Sequence, residues 1–196
     1  MVEAIAGVGA ATLAILGLAG VLPFYTTTLA TIAVGAGLFA EGSSLGAAAA
    51  RIDRETSGYR VGSGGAFGVQ AMAGAVGIVL GILALVGVLP SVLVPVAILA
   101  MGGGMVLAGP GRAELNLGAL ELGGASPRAR RRAAAAVQTS GRLLGLVGLG
   151  AVTLAILELA GVGTGFSLEL VALLGLGVAL VLGSSALLGR LMVTAR

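Results

Sequence analysis

The sequence predicts an all-α integral membrane protein, with six transmembrane helices arranged as three repeated helical hairpins. Three observations predict it. The first is composition: 58% of the residues are hydrophobic and only 10% are charged. A soluble domain carries about 25% charged residues, so this chain lacks the polar surface that water demands. The second is a series of six apolar stretches, at about 4–22, 26–50, 68–89, 92–109, 143–162 and 168–189. Each is about the ~20 residues that cross a hydrocarbon core as a helix. Lipid leaves the backbone a choice of helix or closed barrel, and these runs lack the alternation of barrel strands. The third is internal repetition. Residues 12–21 match residues 153–162 at nine of ten positions, at an offset of 141.

The connectors define the hairpins. The first, third and fifth spans are followed by short links: Leu22-Pro23-Phe24-Tyr25, Leu89-Pro90-Ser91 and the five residues 163–167. Longer loops are expected at about 51–67 and 110–142. The chain therefore reads as one membrane domain over 1–196, with hairpins at about 4–50, 68–109 and 143–189. The offset of 141 continues without a gap to Gly42-Ser43-Ser44 and Gly183-Ser184-Ser185. The middle hairpin joins at an offset of 67, which aligns Gly20-Val21-Leu22-Pro23 with Gly87-Val88-Leu89-Pro90 and Gly35 with Gly102. Pseudo-threefold packing is the expectation.

All 11 basic residues are arginines, and none lies in the three short links. Arg51, Arg54 and Arg60 fall in the first long loop. Arg112, Arg128, Arg130, Arg131, Arg132 and Arg142 fall in the second, and Arg190 and Arg196 near the C-terminus. By the positive-inside rule both termini and both long loops face the cytosol. Met1-Val2-Glu3 offers no basic n-region, so a cleaved signal peptide is not expected. The location read from this pattern is a cell (inner) membrane.

Each hairpin turn reads G-x-L-x-L-x-G-V-x-P or close to it, best within residues 77–90, and is followed by a Gly-rich second helix, best at 102–109. Short six-span chains built this way resemble the HdeD-like acid-resistance membrane proteins. The resemblance covers the spans and not the long basic loop. It implies an inner-membrane protein linked to stress with no defined catalytic site, and it supplies no functional residues.

Lipid tails are as apolar as leucine, so helix pairing must come from close backbone approach at small residues. Gly77 and Gly81 form a G-x-x-x-G pair on the third span. Gly17 with Gly20 and Gly35 with Gly37 mark other close faces, and Gly102-Gly103-Gly104 predicts a kink. Thr26-Thr27-Thr28 opens the second span, where hydroxyls would cap first-turn amides.

Chemical equipment is sparse. Cys, His and Trp are absent, which excludes disulfides, Cys/His zinc sites, haem ligation and histidine-based triads. No catalytic, cofactor-binding or metal-binding residue is assigned, and an enzyme is not expected. Two intramembrane acids, Glu41 and Glu158, are the candidate polar sites, since such residues carry function by default. Glu158 is expected about 9 Å below the outer turn and Glu41 about 15 Å from the inner arginines. Neither has a basic partner in a span. The repeat places Gly17 and Ala84 opposite Glu158, and Ala108 and Leu182 opposite Glu41, so neither acid forms a threefold ring. Both are read as neutral and mainly structural, because a carboxylate buried without a partner favours its neutral form. Glu169 reads as interfacial.

Arg128, Arg130, Arg131 and Arg132 are the candidate lipid- or partner-contacting group. Near anionic lipid each is worth about 1 kcal/mol. Ser126 before Pro127 reads as a helix start. No aromatic residue accompanies the cluster, which argues against nucleic acid. The expected partners are the bilayer and other membrane subunits or a second copy, with the 111–132 segment contacting a partner. The reading is thus a non-enzymatic structural or stress-related protein, or an accessory subunit of a larger membrane assembly. The alternative is a small proton, ion or solute channel or transporter using Glu41 and Glu158.

The topology has a direct test. With single cysteines at Ser91 and Gly62, an impermeant thiol reagent added outside intact cells labels Ser91→Cys and leaves Gly62→Cys unmodified. The opposite pattern reverses the orientation.

Overall fold

Three glycines in the left-handed region set where the helices turn back. The computed structural model describes residues 2–55, 63–122, 127–162 and 165–194. These form six helices: α1 (Val2–Leu18), α2 (Pro23–Glu55), α3 (Ser63–Leu85), α4 (Pro90–Leu122), α5 (Pro127–Leu159) and α6 (Ser167–Thr194). Gly20, Gly87 and Gly161 have φ of 84°, 93° and 74°. At each, the same pair of bonds closes the preceding helix. The amide of Val21 donates to the carbonyl of Leu16 at 3.0 Å, and that of Gly20 to Gly17 at 3.0 Å. Val88 and Gly87 do the same to Leu83 and Ala84, and Val162 and Gly161 to Leu157 and Glu158. This is the Schellman arrangement, which satisfies terminal carbonyls that lipid cannot. Pro23 and Pro90 then begin α2 and α4, where a missing N–H costs nothing. Leu22 and Leu89, just before them, also have positive φ, at 44° and 37°. Each carries roughly 1–2 kcal/mol of strain to keep its link at four residues.

Among the described residues four helices are long and apolar enough to cross a membrane, over Pro23–Arg51, Phe67–Leu85, Pro90–Gly109 and Gly141–Leu159. Glu3–Leu18 and Ser167–Gly183 are shorter apolar helices. The outward surface is apolar, with Ile5, Ile15, Met72, Val79, Leu146 and Ile156 all exposed.

α2, α4 and α6 touch one another and form the inner set. α1 lies against α2 and α6, α3 against α2 and α4, and α5 against α4 and α6. Among the described residues the outer helices do not touch each other. The inner helices bury matching stripes: Thr27, Thr31, Val34 and Leu38 on α2; Val94, Ile98, Met101 and Met105 on α4; Glu169, Leu173, Leu176 and Leu180 on α6. The step from α2 to α4 is 67 residues. The step from α2 to α6 is 142, one more than the offset of 141 read from the sequence. The outer helices keep 141, since Ala10 and Ala14 are buried like Ala151 and Ala155. The gap-free offset of 141 expected through residue 185 therefore does not hold for the buried positions of α6. Leu182, the expected counterpart of Glu41, is exposed on the outside of α6.

Glycines bring each inner helix against the next outer one. A methyl built on Gly35 of α2 would lie 2.8 Å from the Gly74 carbonyl oxygen of α3. One on Gly102 of α4 would lie 2.8 Å from that of Gly148 of α5, and one on Gly7 of α1 2.8 Å from that of Gly177 of α6. The α6–α1 contact closes the ring with the chemistry of the other two. Gly77 and Gly81 both abut α2. Gly77 faces Met101 of α4 as well as Gly35, while Gly81 faces Ile32. Gly17 abuts Thr26 and Leu170, but Gly20 is a cap with open space around it. Gly37 meets Leu180 and Ala6 rather than sharing a face with Gly35.

Two expected loops are mostly helix. α2 runs on to Glu55 and α3 starts at Ser63. α4 continues through Gly102-Gly103-Gly104 and Pro110 to Leu122, and α5 begins at Pro127. Ala, Leu, Glu and Arg dominate both extensions and are strong helix formers. At 33 residues, α4 and α5 are each about 50 Å long, well beyond a ~30 Å hydrocarbon core.

Gly→Ala substitutions should sort by these contacts. Gly35→Ala and Gly102→Ala should lower unfolding stability in detergent by about 1–3 kcal/mol, because the neighbouring backbone must move. Gly9→Ala and Gly103→Ala, which open onto free space, should change it by less than about 1 kcal/mol. Equal effects in both groups would refute the glycine contacts.

Candidate functional site

Among the described residues the candidates for chemistry are buried polar groups, and they lie at the two ends of the bundle. At the arginine-bearing end, Glu41 of α2 is 4% exposed and Gln70 of α3 is fully buried. The Gln70 Nε2 donates to Glu41 Oε2 at 3.0 Å. Glu41, read as an acid with no basic partner in a span, thus has an uncharged partner. The missed residue is Gln70, one uncharged polar side chain in a run of Ala, Gly, Val and Met. A signal was available: an offset of 67 puts Gln70 at the position of Glu3 in α1. Glu3 also has an α2 partner, because the Ser44 hydroxyl lies 3.2 Å from Glu3 Oε1 and 2.9 Å from the Glu41 carbonyl. Gln70 Oε1 is buried without a hydrogen-bond partner among the described residues.

The crossing at this point is tight. A methyl built on Gly42 would sit 2.6 Å from the Ala71 amide nitrogen and 2.9 Å from the Phe67 carbonyl oxygen. The backbones of α2 and α3 therefore hold Glu41 and Gln70 at hydrogen-bonding distance with little room to slide. In a low-dielectric interior such a bond is strong and an unmade one costly.

The opposite end gathers threonines and two further acids. The threonines do not cap amides. α2 already starts at Pro23, so Thr26, Thr27 and Thr28 lie inside the helix. Their hydroxyls donate backwards to carbonyls: Thr26 to Leu22 and Pro23, Thr27 to Pro23 at 2.7 Å, Thr28 to Phe24 and Tyr25. Thr31 donates to the Thr27 carbonyl at 2.8 Å. In apolar surroundings the nearest acceptor is the turn below, so the hydroxyl takes it.

Glu158 is not deep in a span. The Gly161 cap ends α5 at Leu159, so Glu158 lies in its final turn, half-buried, its Oε2 buried and unpartnered among the described residues. Glu169, expected at the interface, is 2% exposed in the first turn of α6, with its Oε2 likewise unpartnered. Glu41 and Glu158 are thus at opposite ends and do not form one site. Arg128, Arg130, Arg131 and Arg132 occupy the first two turns of α5, and their side chains lie outside the described residues, as do the side chains of segment 111–132. Among the described residues no group of three or more acids could hold a metal ion.

The Glu41–Gln70 bond predicts a double-mutant signature. Glu41→Leu and Gln70→Leu alone each orphan a buried polar group and should cost about 1–3 kcal/mol. The double variant should cost less than their sum by about 1 kcal/mol, a typical coupling for polar pairs inside membranes. Additive losses, measured by unfolding in detergent, would show that the bond is not made. Comparison with protein-family models, with curated proteins and with solved structures finds no match to this chain.

Proposed function

We propose that this chain is a non-enzymatic six-span membrane protein built from three copies of one helical hairpin around a pseudo-threefold axis. In this reading it is a structural or stress-related component, as the HdeD-like resemblance implies, or an accessory subunit of a larger membrane assembly. The single observation that carries it is the filled axis. Val34 and Leu38, Ile98, Met101 and Met105, and Leu173, Leu176 and Leu180 are each 1% exposed or less. Two layers of aliphatic and thioether side chains, Val34 with Met101 and Leu176, and Leu38 with Met105 and Leu180, separate Thr31 from Glu41. An ion or polar solute moving along the axis would meet no hydrogen-bonding group there, and its desolvation would go uncompensated. The recurring caps, glycine contacts and buried stripes support the triplication. Both termini lie in the cytosol of a cell (inner) membrane in this reading, on the distribution of the arginines.

Reconstitution tests it against the channel or transporter alternative. In liposomes carrying a pH-sensitive dye, the wild-type chain should give no proton flux above empty vesicles, and Glu41→Gln and Glu158→Gln should match it. Purified in mild detergent, it should run as a complex larger than one chain. A flux that disappears in either Gln variant replaces this reading with the transporter, and a monomer in every mild detergent removes the accessory-subunit role.

A further inference from the structure

At the arginine-bearing end, α4 and α5 run on beyond their apolar spans as an antiparallel pair. The apolar part of α4 ends at Gly109 and that of α5 starts at Gly141. There the two backbones still meet, since a methyl built on either glycine would lie 3.3 Å from the carbonyl oxygen of the other. Gly102 and Gly148 keep the same register deeper in the bundle. Continued outward, that register sets Leu122, the last residue of α4, level with Arg128, next to the start of α5 at Pro127. Both helices therefore extend to the same height, about 20 Å past Gly109 and Gly141. Arg142 is exposed at the foot of this arm. Arg132 to Arg128 lie further along the same unbroken helix, about 15–21 Å from Arg142 at 1.5 Å per residue. The headgroup zone of one leaflet is only about 5–8 Å deep. A helix tilt of about 40°, the upper end of the usual range, still leaves the cluster about 11–16 Å out. The sequence alone leaves lipid and protein open as contacts for these arginines. The continuous helix carries them past the headgroups of their own membrane.

We propose that the α4–α5 arm docks an acidic segment of another protein through Arg128, Arg130, Arg131 and Arg132. The proposal rests on the accessory-subunit reading above and names the chemistry of the partner. The arm has little charge of its own to answer the cluster. The register sets Glu121 level with it, and Glu114 is the one other acid between residues 110 and 140, whereas Arg112 adds a fifth positive charge. The cluster also begins α5, where the helix dipole is positive, so an anion relieves both fields at once. A second copy of the chain offers no matching patch. Of its eight acids, Glu41, Glu158 and Glu169 lie in the bundle, and Glu3 is bonded to Ser44. Asp53 and Glu55 alternate with Arg51 and Arg54, and Glu114 and Glu121 belong to the arm itself. Carboxylates suit guanidinium groups, whose planar fork takes both oxygens. Nucleic acid is the poorer fit, because residues 110–142 contain no aromatic residue for base stacking.

The test uses the full chain in nanodiscs of neutral phosphatidylcholine, with a fluorescein-labelled oligoglutamate peptide as the probe. Fluorescence anisotropy should show saturable binding that weakens as NaCl is raised. Replacing all four cluster arginines by Gln should weaken it at least tenfold, while Arg51→Gln with Arg54→Gln should leave it within twofold. Circular dichroism checks that both variants keep the helicity and Tm of the wild type. A bimane label on Ala129→Cys should keep its emission when phosphatidylglycerol replaces part of the phosphatidylcholine. A blue shift on that change assigns the cluster to the membrane and overturns the proposal. So does tighter binding of a labelled single-stranded oligonucleotide of equal charge, which assigns it to nucleic acid. A wild type that does not bind the peptide, or a fourfold variant that binds it equally well, overturns it too. A complex larger than one chain in mild detergent then still supports the accessory role. A wild type that binds the peptide yet runs as a monomer loses the accessory role and keeps the docking arm.

Discussion

Backbone-to-backbone contact at glycine is the constraint on which the structure depends. In hydrocarbon, two leucine-covered helices gain little by leaving lipid for each other, so association rests on how closely backbones approach. Gly35 against Gly74, Gly102 against Gly148 and Gly7 against Gly177 supply that approach at three interfaces. Each lies between the second helix of one hairpin and the first of another. The glycines thus join hairpins to one another, while the short capped links hold the two helices of each hairpin together. Once these crossings are set, α2, α4 and α6 face inward and everything else about the core follows.

The same constraint explains where polar groups are tolerated. Glu41 and Gln70 occur where Gly42 presses α2 onto α3, so a short side-chain bond can form without a void. Thr27 and Thr31 survive on the buried stripe of α2 because each donates within its own helix and exposes no unsatisfied hydrogen. Glu158 and Glu169 are the exceptions, lying beside the third turn, where the link is longer and α6 is shifted by one residue against the other inner helices.

The long helical extensions separate the two ends of the molecule. α4 and α5 continue well past the length a bilayer needs, and the arginine cluster lies on the extension of α5. Four arginines in five residues favour the charged side of the boundary, and the helix extends the backbone into it. The other end has short links and exposed apolar side chains such as Val21, Leu22, Val86 and Leu89.

Composition and periodicity determined the all-helical class, the three tight turns, the one-sided arginines and the helix start at Pro127, because each depends on local chemistry: capping, proline geometry, and the cost of charge in lipid. Tertiary structure decided the rest. The shift of one residue in α6 is invisible to alignment, since Ser167-Leu168-Glu169-Leu170-Val171 offers apolar residues in either register, and only contact with α1, α2 and α4 selects one. The partner of Glu41 came from another helix, 29 positions away, so no local pattern announced it. The burial of Glu169 followed from the same shift, which turned a residue that reads as interfacial onto the core stripe. The segments expected as long loops are largely helix for a simpler reason: arginine, alanine and leucine continue a helix as readily in water as in lipid.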